Sequence, residues 1–198
     1  MDDLLNNWPV LLAAYMLGSI PFGLILTRIA GLGDIRSIGS GNIGATNVLR
    51  TGKRALALCT LLLDALKGTV AVLLAKYIDA EVPAVAALAG VLALLGHMYP
   101  VWLRFKGGKG VATALGIWLG LSAPVFACMA AAWALAAWAS RTSSVGALAM
   151  IVAAPVAANF IAPDYIPVAY ITLALVLWRH RANIERLRHG TEPKIGDK

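Results

Sequence analysis

Charge is scarce in this sequence, and acidic charge scarcest of all. Of its 198 residues only 14% are charged, with Asp and Glu numbering 10 against 17 Lys and Arg; an ordinary soluble domain carries about 25% charged residues. The acids are also dispersed, which excludes the aspartate clusters that magnesium-dependent pyrophosphate chemistry needs, and neither a metal nor a cofactor is expected. Cysteine is nearly missing. Cys59 and Cys128 lie in apolar stretches without C-x-x-C or Cys/His spacing, so a disulfide framework, a thiolate metal site and a cysteine nucleophile are all excluded. There is no G-x-S-x-G elbow, no repeat of fixed period and no low-complexity tract. No secretory leader is expected either: Met1-Asp2-Asp3 is acidic where a signal would be basic, so the first apolar run is expected to be a retained span.

What is abundant is apolar. Hydrophobic residues make up 60% of the chain, the composition of an integral membrane protein. Apolar segments at about residues 8–30, 53–78, 82–103, 111–122, 124–140, 143–161 and 165–179 fit spans of roughly 20 residues each. The fourth is short, so its Gly110–Ala112 start is expected to be helical as well, or the span to be buried against neighbours. The expected fold is all-α: a single polytopic membrane domain over residues 1–198 with seven transmembrane helices. With the N-terminus outside, 15 of the 17 basic residues fall in inside segments, while Lys76 and the acids Asp2, Asp3, Asp79, Glu81 and Asp164 remain outside. A cytoplasmic C-terminus follows from the positive-inside rule. The formal charge of +7 is then a topological signal, and no nucleic-acid partner is implied. Gly18-Ser19-Ile20-Pro21-Phe22-Gly23 is expected to kink or loosen the first span and make space for a lipid chain.

Against this background the polar string GSGNIGATN, residues 39–47, needs a reason. Its first six residues fit G-x-G-x-x-G, but a dinucleotide fold needs a preceding strand, and here membrane helices flank the motif on both sides. Gly107-Gly108-Lys109-Gly110 likewise fails the Walker pattern. What remains is the physics of an anion cradle: glycines let backbone N–H groups converge, and an adjacent helix start adds positive potential. Ser40, Asn42, Thr46 and Asn47 add side-chain donors, and Arg50 supplies a fork suited to phosphate. The alternative is a turn in which Ser and Asn cap helix ends. Lys109 among the glycines of the second loop favours phosphate.

A third polar segment follows the last span. His180 is a candidate proton acceptor or phosphate donor, with Asn183 and Glu185 or Glu192 beside it; equally, His, Asn and Arg at a cytoplasmic helix end can anchor it to headgroups. His97 is expected to be buried and hydrogen-bonded at the end of the third span. Asp64 and Lys67, three apart on the second, are expected to neutralise one another as a structural pair.

Phosphate cradles beneath apolar walls suit a reaction between an amphiphile and a water-soluble phosphate. Acyl transfer from an activated donor needs only orientation, charge neutralisation and a place for the proton. The strings DIRSIGSGNIGATNVLR (34–50), GHMYPVWLRFKGGKGVAT (96–113) and RHRANIERLRHGTE (179–192) closely resemble the three signature regions of the bacterial membrane-integral glycerol-3-phosphate acyltransferases that use acyl phosphate, the PlsY family. The resemblance implies transfer of an acyl group from acyl phosphate to the 1-hydroxyl of sn-glycerol 3-phosphate at the cytoplasmic face of the inner membrane. Lysophosphatidic acid and inorganic phosphate would be the products, with no acyl-CoA or acyl-carrier-protein donor. By position it implies essential roles for Ser40 and Arg50, with Thr46 and Asn47 among the phosphate donors, and glycerol-3-phosphate binding at Gly107, Gly108 and Gly110 with Lys109 as the cation. It further implies important roles for His180 and Asn183, a structural role for Glu192, and a place for Ser144 along the site. The soluble-type H-x-x-x-x-D pattern is absent. The expected partners are acyl phosphate, glycerol 3-phosphate and membrane lipid, and a monomer is expected. The alternative class is an organophosphate anion transporter, which would need an accessible path from outside, where the connections lack a matching basic group. A structural or chaperone-like membrane protein would tolerate loss of both glycine loops.

Overall fold

The computed structural model describes residues 6–79 and 82–196, and among these there is no strand. The chain forms two compact units, one running to Leu121 and one from Ser122. The first contains α1 (Trp8–Gly18), α2 (Phe22–Ile29), a 3-10 turn (Ile35–Ser37), α3 (Ala45–Leu49), α4 (Arg54–Ile78), α5 (Pro83–Met98), a second 3-10 turn (Val101–Leu103) and α6 (Val111–Leu121). The second contains α7 (Ala123–Ser140), α8 (Ser143–Ile161), a turn at Pro163–Tyr165, α9 (Ile166–Arg179) and α10 (Arg181–Arg188). Proline opens α1, α5, α7 and α9, where its missing N–H costs nothing.

α4 shows why these segments belong in lipid. Its buried positions include Ala57, Thr60, Asp64, Lys67, Gly68, Ala71 and Ala75, which recur every three or four residues, whereas Leu58, Leu62, Leu66, Leu73 and Tyr77 are exposed. That is a soluble amphipathic helix turned inside out, with the polar stripe facing protein and leucines facing outward. Both cysteines are free and exposed.

Among the described residues four helices are long and apolar enough to cross a membrane: Arg54–Ile78, Pro83–Leu103 including the 3-10 turn, Ala123–Ser140 and Ser143–Ile161. α1 and α2 pass the same test only together, as a pair bent by 44° at Ser19–Pro21, where proline cannot continue the helical bonding. The expected kink is present. The space beside it is filled, however, because Gly18 lies against the backbone of Ala93 and Gly23 against the carbonyl of Ile43, so close that no side chain would fit. Those glycines serve helix packing rather than a lipid chain.

The fourth apolar segment is helical only from Val111, since Gly110 has φ of +86° and stands outside the helix. At 11 residues α6 reaches about 16 Å, short of the roughly 30 Å hydrocarbon core. Ala114, Ile117 and Trp118 are fully buried in the first unit, which is how a short apolar helix is accommodated. Its contact with α4 is nearly backbone to backbone, with Gly116 on the Ala65 carbonyl and Gly68 on the Thr113 carbonyl. Gly116→Val is expected to force α4 and α6 apart and to cost about 3 kcal/mol, the upper end of ordinary overpacking. A lowered thermal midpoint of the detergent-solubilised protein is the measurement that checks it.

Candidate active site

The string at 34–50 folds around its own small core. Ile35, Ile43 and Val48 pack with Leu24 and Ala57 in a buried cluster that holds the loop against the helices. Asp34 caps the first turn by accepting from the Arg36 side chain and backbone N–H, and these bonds, with the charge of Arg28, hold its carboxyl well below the usual carboxylate range. Gly39 and Gly41 adopt φ of +55° and +67°, a region glycine enters freely.

Asn47, 2% exposed, is the keystone. Its amide donates to the carbonyls of Asn42 at 2.8 Å, Ile35 at 2.9 Å and Ile38 at 3.2 Å, and its Oδ1 accepts from Ser40 N at 3.1 Å. Asn42 Oδ1 accepts from Gly44 N at 2.9 Å, and Ile38 O from Gly41 N at 3.0 Å. The N–H groups of residues 40, 41 and 44 are therefore used within the loop. What the loop offers is side chains. Ser40 and Thr46 are exposed, and Arg50 crosses the loop so closely that a Cβ on Gly39 would come within 2.6 Å of its Nη1. The Arg50 guanidinium has no ion pair among the described residues.

The second glycine loop behaves alike. Gly107 N donates to Met98 O at 3.1 Å and Gly108 N to His97 O at 3.0 Å, so these amides close the C-terminal end of α5. Arg104 and Phe105 hold φ of +50° and +62°, unusual for side-chain-bearing residues and costly enough to mark a constrained turn. Lys109 is the half-buried cation of this loop.

In the second unit His180 forms the junction between α9 and α10 and is 2% exposed, which places it away from any headgroup-anchoring position. Its Nδ1 lies 2.8 Å from the carbonyl of Val176. A carbonyl only accepts, so Nδ1 carries a proton and donates to it. Asn183, 4% exposed, donates Nδ2 to Glu192 Oε1 at 2.6 Å, and Arg186, one turn on, donates Nε to Oε2 at 2.6 Å. Asn183 Oδ1 is buried without a hydrogen-bond partner among the described residues. The Ser144 hydroxyl is buried near the same carboxylate, outside full hydrogen-bond geometry. Burial opposes ionisation of Glu192, but Asn183, Ser144 and Arg186 outweigh it and lower its pKa from 4.5. Ile195 N, bonded to Arg141 O at 2.7 Å, pins the tail beyond it.

Of the residues expected from sequence, Ser40, Asn42, Thr46, Asn47 and Arg50 share one loop, Gly107 to Gly110 another, and Ser144, Asn183 and Glu192 a third cluster. Sequence reasoning missed Arg186, whose three-residue spacing from Asn183 is the signal that places both on one face of a helix.

A sequence profile described as Glycerol-3-phosphate acyltransferase matches residues 8–190. Glycerol-3-phosphate acyltransferase of Mesorhizobium japonicum is 55% identical over 189 residues, covering 95% of each chain. That of Roseobacter denitrificans is 54% identical over 192 residues, covering 96% of this chain and 94% of the other. Among solved structures, PlsY, an integral membrane glycerol 3-phosphate acyltransferase, in its glycerol 3-phosphate form superposes with a TM-score of 0.90 at 35% identity, covering 96% of both chains. Its lysophosphatidic acid form gives 0.89 at 34%.

The Glu192 clamp has a definite pH dependence. A carboxylate with a depressed folded-state pKa contributes stability throughout the neutral range and loses it only as pH falls through that depressed value. Tail anchoring should therefore be flat from pH 8 to about 5 and decline below the ordinary glutamate range. Glu192→Gln should remove the Arg186 ion pair, cost about 1 kcal/mol and abolish that acid limb, read by thermal unfolding across pH.

Proposed function

Because the chain belongs to the glycerol-3-phosphate acyltransferase family, we propose that it transfers a fatty acyl group from acyl phosphate to the 1-hydroxyl of sn-glycerol 3-phosphate. Lysophosphatidic acid and inorganic phosphate are the products. The single observation that carries the reading is Arg50, a guanidinium laid across Gly39 with no ion pair among the described residues. A planar cation held in that way suits a phosphate oxyanion.

In this reaction the acceptor oxygen forms a bond to the acyl carbon as the bond from that carbon to the phosphate oxygen breaks, and phosphate departs with the electron pair. Arg50, Ser40 and Thr46 neutralise and orient phosphate from the first loop, while Asn42 and Asn47 keep that loop in shape. Lys109 and the glycines at 107, 108 and 110 serve glycerol 3-phosphate. His180 is the protein's acceptor for the hydroxyl proton, and Asn183 Oδ1 with Ser144 accepts from a substrate hydroxyl. Charge neutralisation and orientation supply the rate, since acyl phosphate is already activated.

The accompanying topology has seven transmembrane helices, the N-terminus outside, and the reaction at the cytoplasmic face of the inner membrane. Its support is the basic residues on one set of connections and aromatic anchors at helix ends. Exposed Trp8 and Tyr77 mark one set of ends, and exposed Trp102, Trp138 and Trp178 the alternating set.

The test is phosphate release by purified protein given palmitoyl phosphate. Release should require glycerol 3-phosphate, and palmitoyl-CoA should not substitute. Ser40→Ala, Arg50→Ala and His180→Ala should each lower turnover at least about a hundredfold, the size of a lost transition-state contact, with the thermal midpoint retained. Full activity in Arg50→Ala would overturn the assignment. Counterflow of labelled glycerol 3-phosphate in proteoliposomes without any acyl donor would favour transport instead.

A further inference from the structure

Lys67 lies halfway along α4, at a depth where charge is costly, and the transfer just described does not use it. Its ammonium meets three acceptors: His97 Nδ1 at 2.7 Å, Asp64 Oδ1 at 2.8 Å and Ile20 O at 3.1 Å. The Phe22 ring, just past the helix break, lies 5.8 Å away. Three acceptors match the three N–H bonds of an ammonium, so the group is fully satisfied in one arrangement. An ammonium can only donate, so His97 Nδ1 accepts, and the neutral ring bears its proton on Nε2.

That Nε2 edge rests on the second glycine loop. A Cβ built on Gly108 would overlap His97 Nε2 and come within 2.7 Å of Cε1, while the same residue's N–H donates to His97 O at 3.0 Å. The far side of the loop is tied to the same centre, because Thr113 Oγ1, three residues past Gly110, donates to the Asp64 carbonyl at 2.9 Å. Both ends of the 107–110 segment are therefore fastened to one buried cluster.

We propose that Asp64, Lys67 and His97 form a positioning centre that fixes the Gly107–Gly110 loop, and with it Lys109, in the geometry that binds the phosphate of glycerol 3-phosphate. The inference rests on the assignment of that loop to the acceptor substrate. None of the three residues is catalytic; they act through the loop, on acceptor affinity rather than on the chemical step.

His97→Asn separates this role from simple stabilisation, since asparagine keeps an acceptor near the Nδ1 position for Lys67 but withdraws the ring from Gly108. It should raise KM for glycerol 3-phosphate at least about tenfold, leaving kcat and KM for palmitoyl phosphate within about twofold. Gly108→Ala should raise the same KM in the parent protein, yet add less than about twofold in the His97→Asn background, where the methyl has room. Calorimetric titration of glycerol 3-phosphate into donor-free protein should show the same loss, so the outcome does not depend on the donor. An unchanged KM and affinity in His97→Asn, a fall in kcat in place of a rise in KM, or independent effects of the two substitutions would overturn the proposal. Should His97→Asn not fold, Gly108→Ala alone decides it, and a KM within twofold of the parent's sinks it. A parent protein that neither binds nor acylates glycerol 3-phosphate removes the functional reading and this one with it. A parent that does both while His97→Asn behaves normally removes this one alone.

Discussion

Irregular backbone beside lipid has to satisfy its own polar groups, and that constraint shapes both glycine-rich loops. In the first, the Asn47 side chain takes the part a strand or helix would play, bonding three carbonyls and one N–H. In the second, the carbonyls at the end of α5 receive the amides of Gly107 and Gly108. With those amides committed, the proposed recognition of phosphate leans on the side chains Arg50 and Lys109. Glycine contributes proximity, letting Arg50 lie over residue 39 and the His97 ring lie on residue 108.

The helices obey the same constraint by a different route. Lipid supplies no hydrophobic drive between apolar helices, so association relies on close packing and buried polar contacts. Glycines bring α4 and α6 to backbone contact, and the Lys67 ammonium binds the break between α1 and α2 to α4 and α5. A buried ion pair is weak evidence for stability, because desolvation offsets its attraction. Its value here is geometric, since only one arrangement of four segments supplies all three acceptors.

Element types and the membrane class were legible in the sequence because they depend on local hydropathy and on proline and glycine, which carry their conformational demands with them. The kink at Pro21, the Asp64 and Lys67 pair and the burial of His97 follow from spacing of a few residues. What could not be read depends on partners far along the chain. Glycines at 107 and 108 look the same whether their amides face a ligand or the end of α5, and only the fold chooses. Asn47 resembles a donor in the sequence and is spent inside the loop because Ile35, Ile38 and Asn42 turn their carbonyls toward it. The break at Gly18–Gly23 looked open, but Ala93 and Ile43 fill it.

The two glutamates of the C-terminal segment show how geometry separates residues that composition treats alike. Glu185 meets Arg188 at 3.9 Å with both side chains mostly in solvent, a pairing of little energetic weight. Glu192 is nearly buried and grips an amide and a guanidinium with its two oxygens. That grip also decides how Asn183 faces. With Nδ2 committed to a carboxylate, Oδ1 must point the other way, so the residue presents an acceptor and is suited to a hydroxyl rather than to a phosphate oxygen. Under the proposed reaction the chemistry then divides by residue type: guanidinium and ammonium groups meet the phosphates. The imidazole and the amide meet the alcohol and its proton. Glu192 makes that division possible by fixing which end of the Asn183 amide is committed within the protein.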